Sequence, residues 1–357
     1  MDPEPRKILI VRTSALGDIV HVLPSLAALR ELYPRAKISW FLEPAGAGLL
    51  QGHPDLERLF VFDRARWKRE WRRPPAWPRL AGHLAEVVGA MRTEEFDLVI
   101  DFQCNVRSGL ATLLSGGKRR LGFARADCPE WGGRLYTNRK APRCPRGLHK
   151  VEKNLWLIRA LGWEGSAPPR PTLPIADGRR RWARSAVDAL PGSGPVLLVH
   201  PAVSRFGEFK RWGEERYREL LQRARSEIGA RAIVSWGPGE RDLAERIGEG
   251  TIAPQTSSPQ DLAALIAASD VVVASDTGAL HIAAALDVPA VGLYGPKDPN
   301  VYGPYPVEGC LNRSVRSGVP CSPCRLRRCE HRICMTTLAP ESVLAAIRDV
   351  LSLGARA

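Results

Sequence analysis

Short apolar runs alternate with longer amphipathic stretches along most of the chain. Lys7-Ile8-Leu9-Ile10-Val11 is a compact apolar run of strand length, and a helical pattern follows over 20–32. Apolar runs at 37–42, 59–62 and 97–101 predict further strands, with a helical stretch over 80–91 before the last of them. Strands that are apolar throughout and separated by amphipathic helices predict parallel βαβ units, with helices covering both faces of a sheet. The rhythm breaks over 166–194, where Pro168, Pro169, Pro171, Pro174 and Pro191 accompany several glycines and a basic helical stretch. It then restarts with strands at 195–200, 232–236, 271–274 and 290–294, helices at 214–228 and 262–268, and an amphipathic helix at 340–351. A proline-rich break between two similar halves marks a domain boundary. The expectation is an α/β chain of two doubly wound, Rossmann-like domains, 1–175 and 176–357, facing each other across a cleft. The final helix has the option of packing back on the first domain.

Composition narrows the classes. The chain has 357 residues, 44% of them apolar, enough to fill two cores. No apolar run approaches the roughly 18 residues of a membrane-spanning helix. Arg12 and Asp18 interrupt the N-terminal apolar stretch, which argues against a signal peptide and for a cytoplasmic location. Eight cysteines in such a chain argue against a disulfide framework. The net charge of +14 implies an anionic partner: nucleic acid, a phosphorylated substrate or an acidic membrane surface. An arginine-rich composition bias gives the same charge with no partner. No RNA-binding signature or zinc-finger spacing supports nucleic acid.

The candidate chemistry lies at the carboxyl ends of predicted strands, where open α/β sheets bind ligands. Ser275-Asp276-Thr277-Gly278-Ala279-Leu280-His281 joins a buried strand to a helix. The unpaired N–H groups and dipole of such a helix start suit a pyrophosphate, and His281 lies one turn inside; a helix cap by Asp276 or Thr277 is the plainer alternative. Ser14, Gly17, Asp18 and His21 follow the first strand without a GxGxxG fingerprint, which disfavours ordinary dinucleotide binding. Asp18 could accept a proton or cap a helix. Ser204 and Lys210 follow the strand at 195–200 and offer a hydroxyl and a cation to a phosphate, or form a basic surface loop. The turn Trp236-Gly237-Pro238-Gly239-Glu240 could hold ribose hydroxyls or start a solvated helix. Four cysteines, Cys321, Cys324, Cys329 and Cys334, crowd one segment. We read them as structural, with zinc, an iron–sulfur cluster, local disulfides and plain thiols all open.

Taken in order, the motifs TSALGDIVHVLPSL, HPAVSR…KRW, WGPGE and SDTGALHIAAALDVPAVGLYGP resemble the lipopolysaccharide heptosyltransferases of glycosyltransferase family 9, a GT-B group. The likeness covers nearly the whole chain. The segments DRARWKREWRRPPAWP, VIDFQCNVRSGL and LYTNRK are most similar to the branch that adds the first heptose to the Kdo region of lipid A. The cysteine-rich segment is more like the branch that acts on a later inner-core acceptor. The stretch between Ser204 and Lys210 is longer than in the first branch. The resemblance implies an inverting transfer from ADP-heptose, with Asp18 as general base. Ser14, Gly17, Ser204, Lys210, Glu240, Asp276, Thr277, Gly278, Leu280 and His281 would hold the donor, with neither cofactor nor metal required. Arg64, Arg66, Lys68, Arg69, Arg139 and Lys140 would meet a phosphorylated, Kdo-bearing lipid A acceptor. Six cations and two tryptophans within residues 64–73 suit an anionic headgroup layer. That implies peripheral attachment to the inner face of the inner membrane. A solvated basic helix face is the competing reading of this segment, and a related transferase using another nucleotide sugar, or a non-catalytic nucleotide-binding protein, is the competing reading of the whole.

Overall fold

The computed structural model describes residues 3–128, 130, 135–306, 311–324, 326 and 328–354, with the side chains of residues 205 and 354 left out. The chain divides into two compact units between Pro174 and Ile175. The first unit comprises β1 (Lys7–Val11), α1 (Leu16–Val20), α2 (Leu23–Leu32), β2 (Lys37–Leu42), α3 (Pro44–Leu50), β3 (Arg58–Val61), α4 (Arg64–Glu70) and α5 (Trp77–Thr93). It continues through β4 (Leu98–Asp101), α6 (Val106–Leu114), β5 (Arg119–Gly122), β6 (Arg139–Lys140) and α7 (Lys150–Arg159). The second comprises α8 (Asp177–Asp188), β7 (Val196–His200), α9 (Glu214–Ile228), β8 (Arg231–Val234), α10 (Arg241–Gly248), α11 (Pro259–Ala267), β9 (Val271–Ser275) and α12 (Gly278–Ala285). β10 (Ala290–Leu293), α13 (Pro299–Tyr302), β11 (Arg313–Val315), α14 (Ile333–Thr336) and α15 (Pro340–Gly354) complete it.

Both described sheets are parallel throughout. The order is β3-β2-β1-β4-β5-β6 in the first and β11-β10-β9-β7-β8 in the second. Each is doubly wound, because the chain runs outward in one direction from one strand and in the other direction from its neighbour. That reversal lies between β1 and β4 in the first sheet and between β7 and β9 in the second, and such switch points open a crevice at the strands' carboxyl ends.

The strands form where the sequence is apolar on both faces. Ile8, Leu9, Ile10 and Val11 are fully buried, as are Val271, Val272 and Val273. The predicted helix at 20–32 is two helices. α1 ends at Val20, and α2 starts afresh with Pro24 in its first turn, where a missing N–H costs no bond. Gly46 in α3 lets that helix lie against α1, since a Cβ there would come within 2.4 Å of Ile19. In α15, Val343, Leu344, Ile347 and Val350 belong to the core of the second unit, with Trp212, Leu220 and Leu293.

The cysteine usage argued against a disulfide framework; the structure joins one pair, Cys104 to Cys128, and leaves the other described cysteines free. The residue pattern could not show it, because the two lie 24 residues apart and are brought together by the loops following β4 and β5.

Candidate active site

The first cluster lies at the β1/β4 switch point. Asp18 occupies the first turn of α1, and its Oδ2 accepts from the Ala15 N–H at 3.4 Å. The same oxygen lies 2.6 Å from a guanidinium nitrogen of Arg12. Arg12 is itself anchored by donating to the Phe102 carbonyl at 3.0 Å, beyond the end of β4. Thr13 donates from both its N–H and its hydroxyl to Gln103 Oε1, each at 2.9 Å. The loop carrying Asp18 is therefore tied across the switch point to the loop following β4.

Beneath it Asp101 is completely buried. It accepts from the N–H groups of Gln103 and Cys104 at 2.9 Å each, and from Ser108 Oγ at 2.9 Å. Burial pushes its carboxyl up to about 6, against the pull of those hydrogen bonds and of Arg12. Sequence reasoning placed Asp18 but assigned nothing to Arg12, Asp101 or Gln103. The available signal was that they end the two strands on either side of the switch point. Ser14 and Gly17, expected at the donor, sit in the same β1–α1 loop and first turn as Asp18. His21 is buried, its ring edge-on to His149 with centroids 5.5 Å apart.

The second cluster lies at the β7/β9 switch point. Lys210 ends the 3₁₀ segment Arg205–Lys210 after β7, and Asp276 follows β9. Lys210 Nζ donates to the Asp276 carbonyl at 3.1 Å and forms a close ion pair with its carboxylate. His281, one turn into α12, places Nε2 3.4 Å from the other carboxylate oxygen. Burial alone would raise the Asp276 carboxyl; the His281 hydrogen bond and the Lys210 ammonium outweigh it and hold it below the ordinary value. Thr277 is the N-cap residue of α12, but its hydroxyl caps nothing. That Oγ1 is buried and without a hydrogen-bond partner among the described residues. Gly278 opens the helix. Asp276, Thr277, Gly278, His281 and Lys210 thus converge where α12 presents its unpaired N–H groups.

The remaining expected donor residues are less alike. The Leu280 side chain is wholly buried in the core, so only its backbone could reach a ligand. Ser204 is exposed and opens the Arg205–Lys210 segment, accepting from the Gly207 N–H at 2.6 Å. Glu240 closes the turn after β8: its Oε2 accepts from the Gly237 N–H at 2.8 Å, and Gly239 takes the positive φ of +81° that the turn needs. Beside it His200, 3.0 Å from Ser235 Oγ, is pushed by burial below the ordinary imidazole value, with Glu240 pulling the other way.

The expected acceptor cations divide. Arg64, Arg66, Lys68 and Arg69 share α4, where Asp63 caps the helix by accepting from Arg66 N–H at 2.8 Å. Arg64 lies 3.7 Å from Glu43, and Arg66 pairs with Glu70 at 3.0 Å. Trp67 stacks on Trp71 at 6.2 Å, and Trp71 on Trp77 at 5.5 Å. Arg139 and Lys140 form β6 at the opposite edge of the sheet from β3, so the structure does not join them to the α4 cluster.

Cys321, Cys324 and Cys329 are partly or fully exposed, and Cys334 is buried against Gly295 and Met335. All four are free thiols, and among the described residues no three metal-ligating side chains are arranged to hold a metal ion. Burial, with the other three cysteines nearby, pushes the Cys334 thiol up. None of the described helices is long and apolar enough to cross a membrane.

Comparison with known proteins adds the family. The family model described as glycosyltransferase family 9 (heptosyltransferase) matches residues 85–333. Lipopolysaccharide heptosyltransferase 1 of Pseudomonas aeruginosa is 30% identical over 372 residues, covering 97% of this chain and 98% of that protein. The solved structure of E. coli heptosyltransferase WaaC with ADP superposes with a TM-score of 0.74 at 28% identity, over 96% of this chain and 99% of that one. The same E. coli enzyme with ADP-2-deoxy-2-fluoro heptose gives 0.72 at 27% identity, with the same coverage of both chains. With two parallel doubly wound sheets and a family match over most of its length, the chain belongs to glycosyltransferase family 9 and has the GT-B fold of its heptosyltransferases.

Proposed function

We propose that the protein transfers heptose from ADP-heptose, with inversion, to the Kdo region of a lipid A precursor. The observation that carries this reading is the buried Lys210–Asp276–His281 cluster with the unpartnered Thr277 hydroxyl at the start of α12. An ammonium, a buried hydroxyl donor and a helix N-terminus are the groups a pyrophosphate leaving group needs as charge develops on it. Ser204, Gly278 and the backbone of Leu280 complete that end, and Glu240 meets the ribose. The similarity to an enzyme solved with ADP and with an ADP-heptose analogue supports the donor.

Asp18 is the general base. Arg12 and the Ala15 N–H hold one carboxylate oxygen, so the other takes the proton of the acceptor hydroxyl as that oxygen attacks the anomeric carbon. A base positioned in this way contributes about 10²–10⁴-fold. Arg64, Arg66, Lys68 and Arg69 meet the anionic acceptor and the inner leaflet of the inner membrane, at which the enzyme works from the cytoplasmic side.

Incubation with ADP-heptose and Kdo₂-lipid A, scored by mass, should add one heptose to the acceptor. Transfer only to an acceptor that already bears a heptose would move the enzyme to a later step, and no transfer with any heptose acceptor would refute the reading.

A further inference from the structure

The first unit holds a pocket of about 490 Å³ beside α4, α5 and α6. Its interior is apolar, walled by Phe62, Trp67, Leu84, Val87, Met91 and Leu114. Its charged lining is cationic but for one carboxylate: Arg64, Lys68, Arg72 and Arg107 stand with Glu43, the partner of Arg64. Thr13, in the loop that carries Asp18, also reaches it. Two further lining residues, Trp71 and Leu110, are large, apolar and exposed, at 56% and 45%. From them an apolar strip continues over the surface through Trp77 on one side and Val106 and Leu113 on the other, all exposed. A sugar-binding pocket would present hydroxyl and amide partners inside, whereas a hydrocarbon wall under a cationic lining fits a molecule with an anionic head and an apolar tail.

We propose that this pocket takes one acyl chain of the acceptor lipid, with the lipid's phosphates held by the cations around it. The assignment rests on the reading of the protein as a transferase acting on a phosphorylated lipid, and it adds the part of that lipid which the pocket recognises. The pocket's contact with the Asp18 loop favours the acceptor over a bystander lipid: a chain seated there leaves its headgroup beside the catalytic base.

Two measurements test it on the full chain. The first is the affinity for n-alkyl phosphates of increasing length, kept below their micelle concentrations. Each methylene that enters the pocket should tighten binding about fourfold, until the pocket is full. Leu110→Glu at the mouth and Leu84→Trp in the interior should each flatten this dependence to less than twofold per methylene. The second compares transfer to acylated Kdo₂-lipid A and to its fully deacylated sugar-phosphate. Both variants should raise KM at least fivefold for the acylated acceptor and leave KM for the deacylated one unchanged.

Affinity independent of chain length, or a length dependence that survives both variants, would overturn the pocket assignment. Length dependence together with equal KM effects on the two acceptors would show that some other lipid's chain occupies it. A wild-type enzyme that transfers to neither acceptor refutes the functional reading, and the alkyl phosphate series then decides on the pocket alone.

Discussion

The Lys210–Asp276 pair has two separable jobs, and a double-mutant cycle can pull them apart. The side chains are 19% and 10% exposed, so the pair is largely withdrawn from water. Breaking a buried pair from one side leaves an uncompensated charge and typically costs 3–5 kcal/mol, while replacing both members is often nearly neutral. Asp276 keeps His281 when Lys210 is lost, which puts Lys210→Met at the low end, about 3 kcal/mol. Asp276→Asn should cost about 2 kcal/mol, because Lys210 can turn its ammonium to solvent. The double variant should cost about 2 kcal/mol in total, a coupling of about 3 kcal/mol, against the 0.3–0.5 kcal/mol scatter of independent sites. Urea unfolding followed by circular dichroism measures all three. ADP calorimetry on the same proteins should show the opposite pattern. Lys210→Met should lose about 1.5–3 kcal/mol of affinity, and the double variant should recover stability but not binding. Because the native Asp276 carboxyl is held below its ordinary value, the pair stabilises above about pH 4, and that contribution is lost as the pH falls further. Destabilisations that simply add would show that the ion pair does not bear on folding, and unchanged ADP affinity in both Lys210 variants would remove Lys210 from the donor site.

Asp18→Asn should lower turnover by about 10²–10⁴-fold with ADP affinity unchanged, and turnover within a few-fold of wild type would exclude Asp18 as the base. Asp101 binds its proton more tightly folded than unfolded, so its own contribution to stability should be fully present below about pH 4 and fall by about 3 kcal/mol as the pH rises through about 6. Asp101→Asn should flatten that dependence in pH-resolved urea unfolding, and an unaltered profile would dismiss the buried carboxyl as its source. Changing Arg64, Arg66, Lys68 and Arg69 together to Gln should raise the acceptor KM and abolish binding to anionic vesicles, at roughly 1 kcal/mol per cation near the surface. Donor affinity should stay constant; unaltered acceptor kinetics and vesicle binding would leave only a solvated basic helix.

What the linear chain determined by itself was the set of strands and helices that local pattern specifies. Runs such as Lys7–Val11 and Val271–Ser275 are apolar on both faces, and only a buried strand satisfies them. The loops after those strands carry Asp18 and the Asp276–His281 segment, so the candidate residues could be located from order and spacing, while the roles expected of them came from the family resemblance. Elements that depend on tertiary partners were not legible. β6 is two exposed basic residues that form a strand only because β5 offers an edge. α6 and α7 carry apolar residues at helical spacing, Val106, Leu110 and Leu113 in one and Val151, Leu155 and Ile158 in the other, which the sequence reading passed over, and the break between α1 and α2 turns on a single proline.

Only the folded chain could decide the pairings. Parallel register sets Arg12 beside Phe102 and Asp276 beside Lys210, residues 90 and 66 positions apart. The same long-range closure set the Cys104–Cys128 link and the burial of Asp101. Sequence specifies which side chains lie at strand ends, because hydrophobic period and turn chemistry are local. Which strand ends adjoin depends on how the sheets wind, and with that go burial, ion pairing and the proton affinity of each carboxylate.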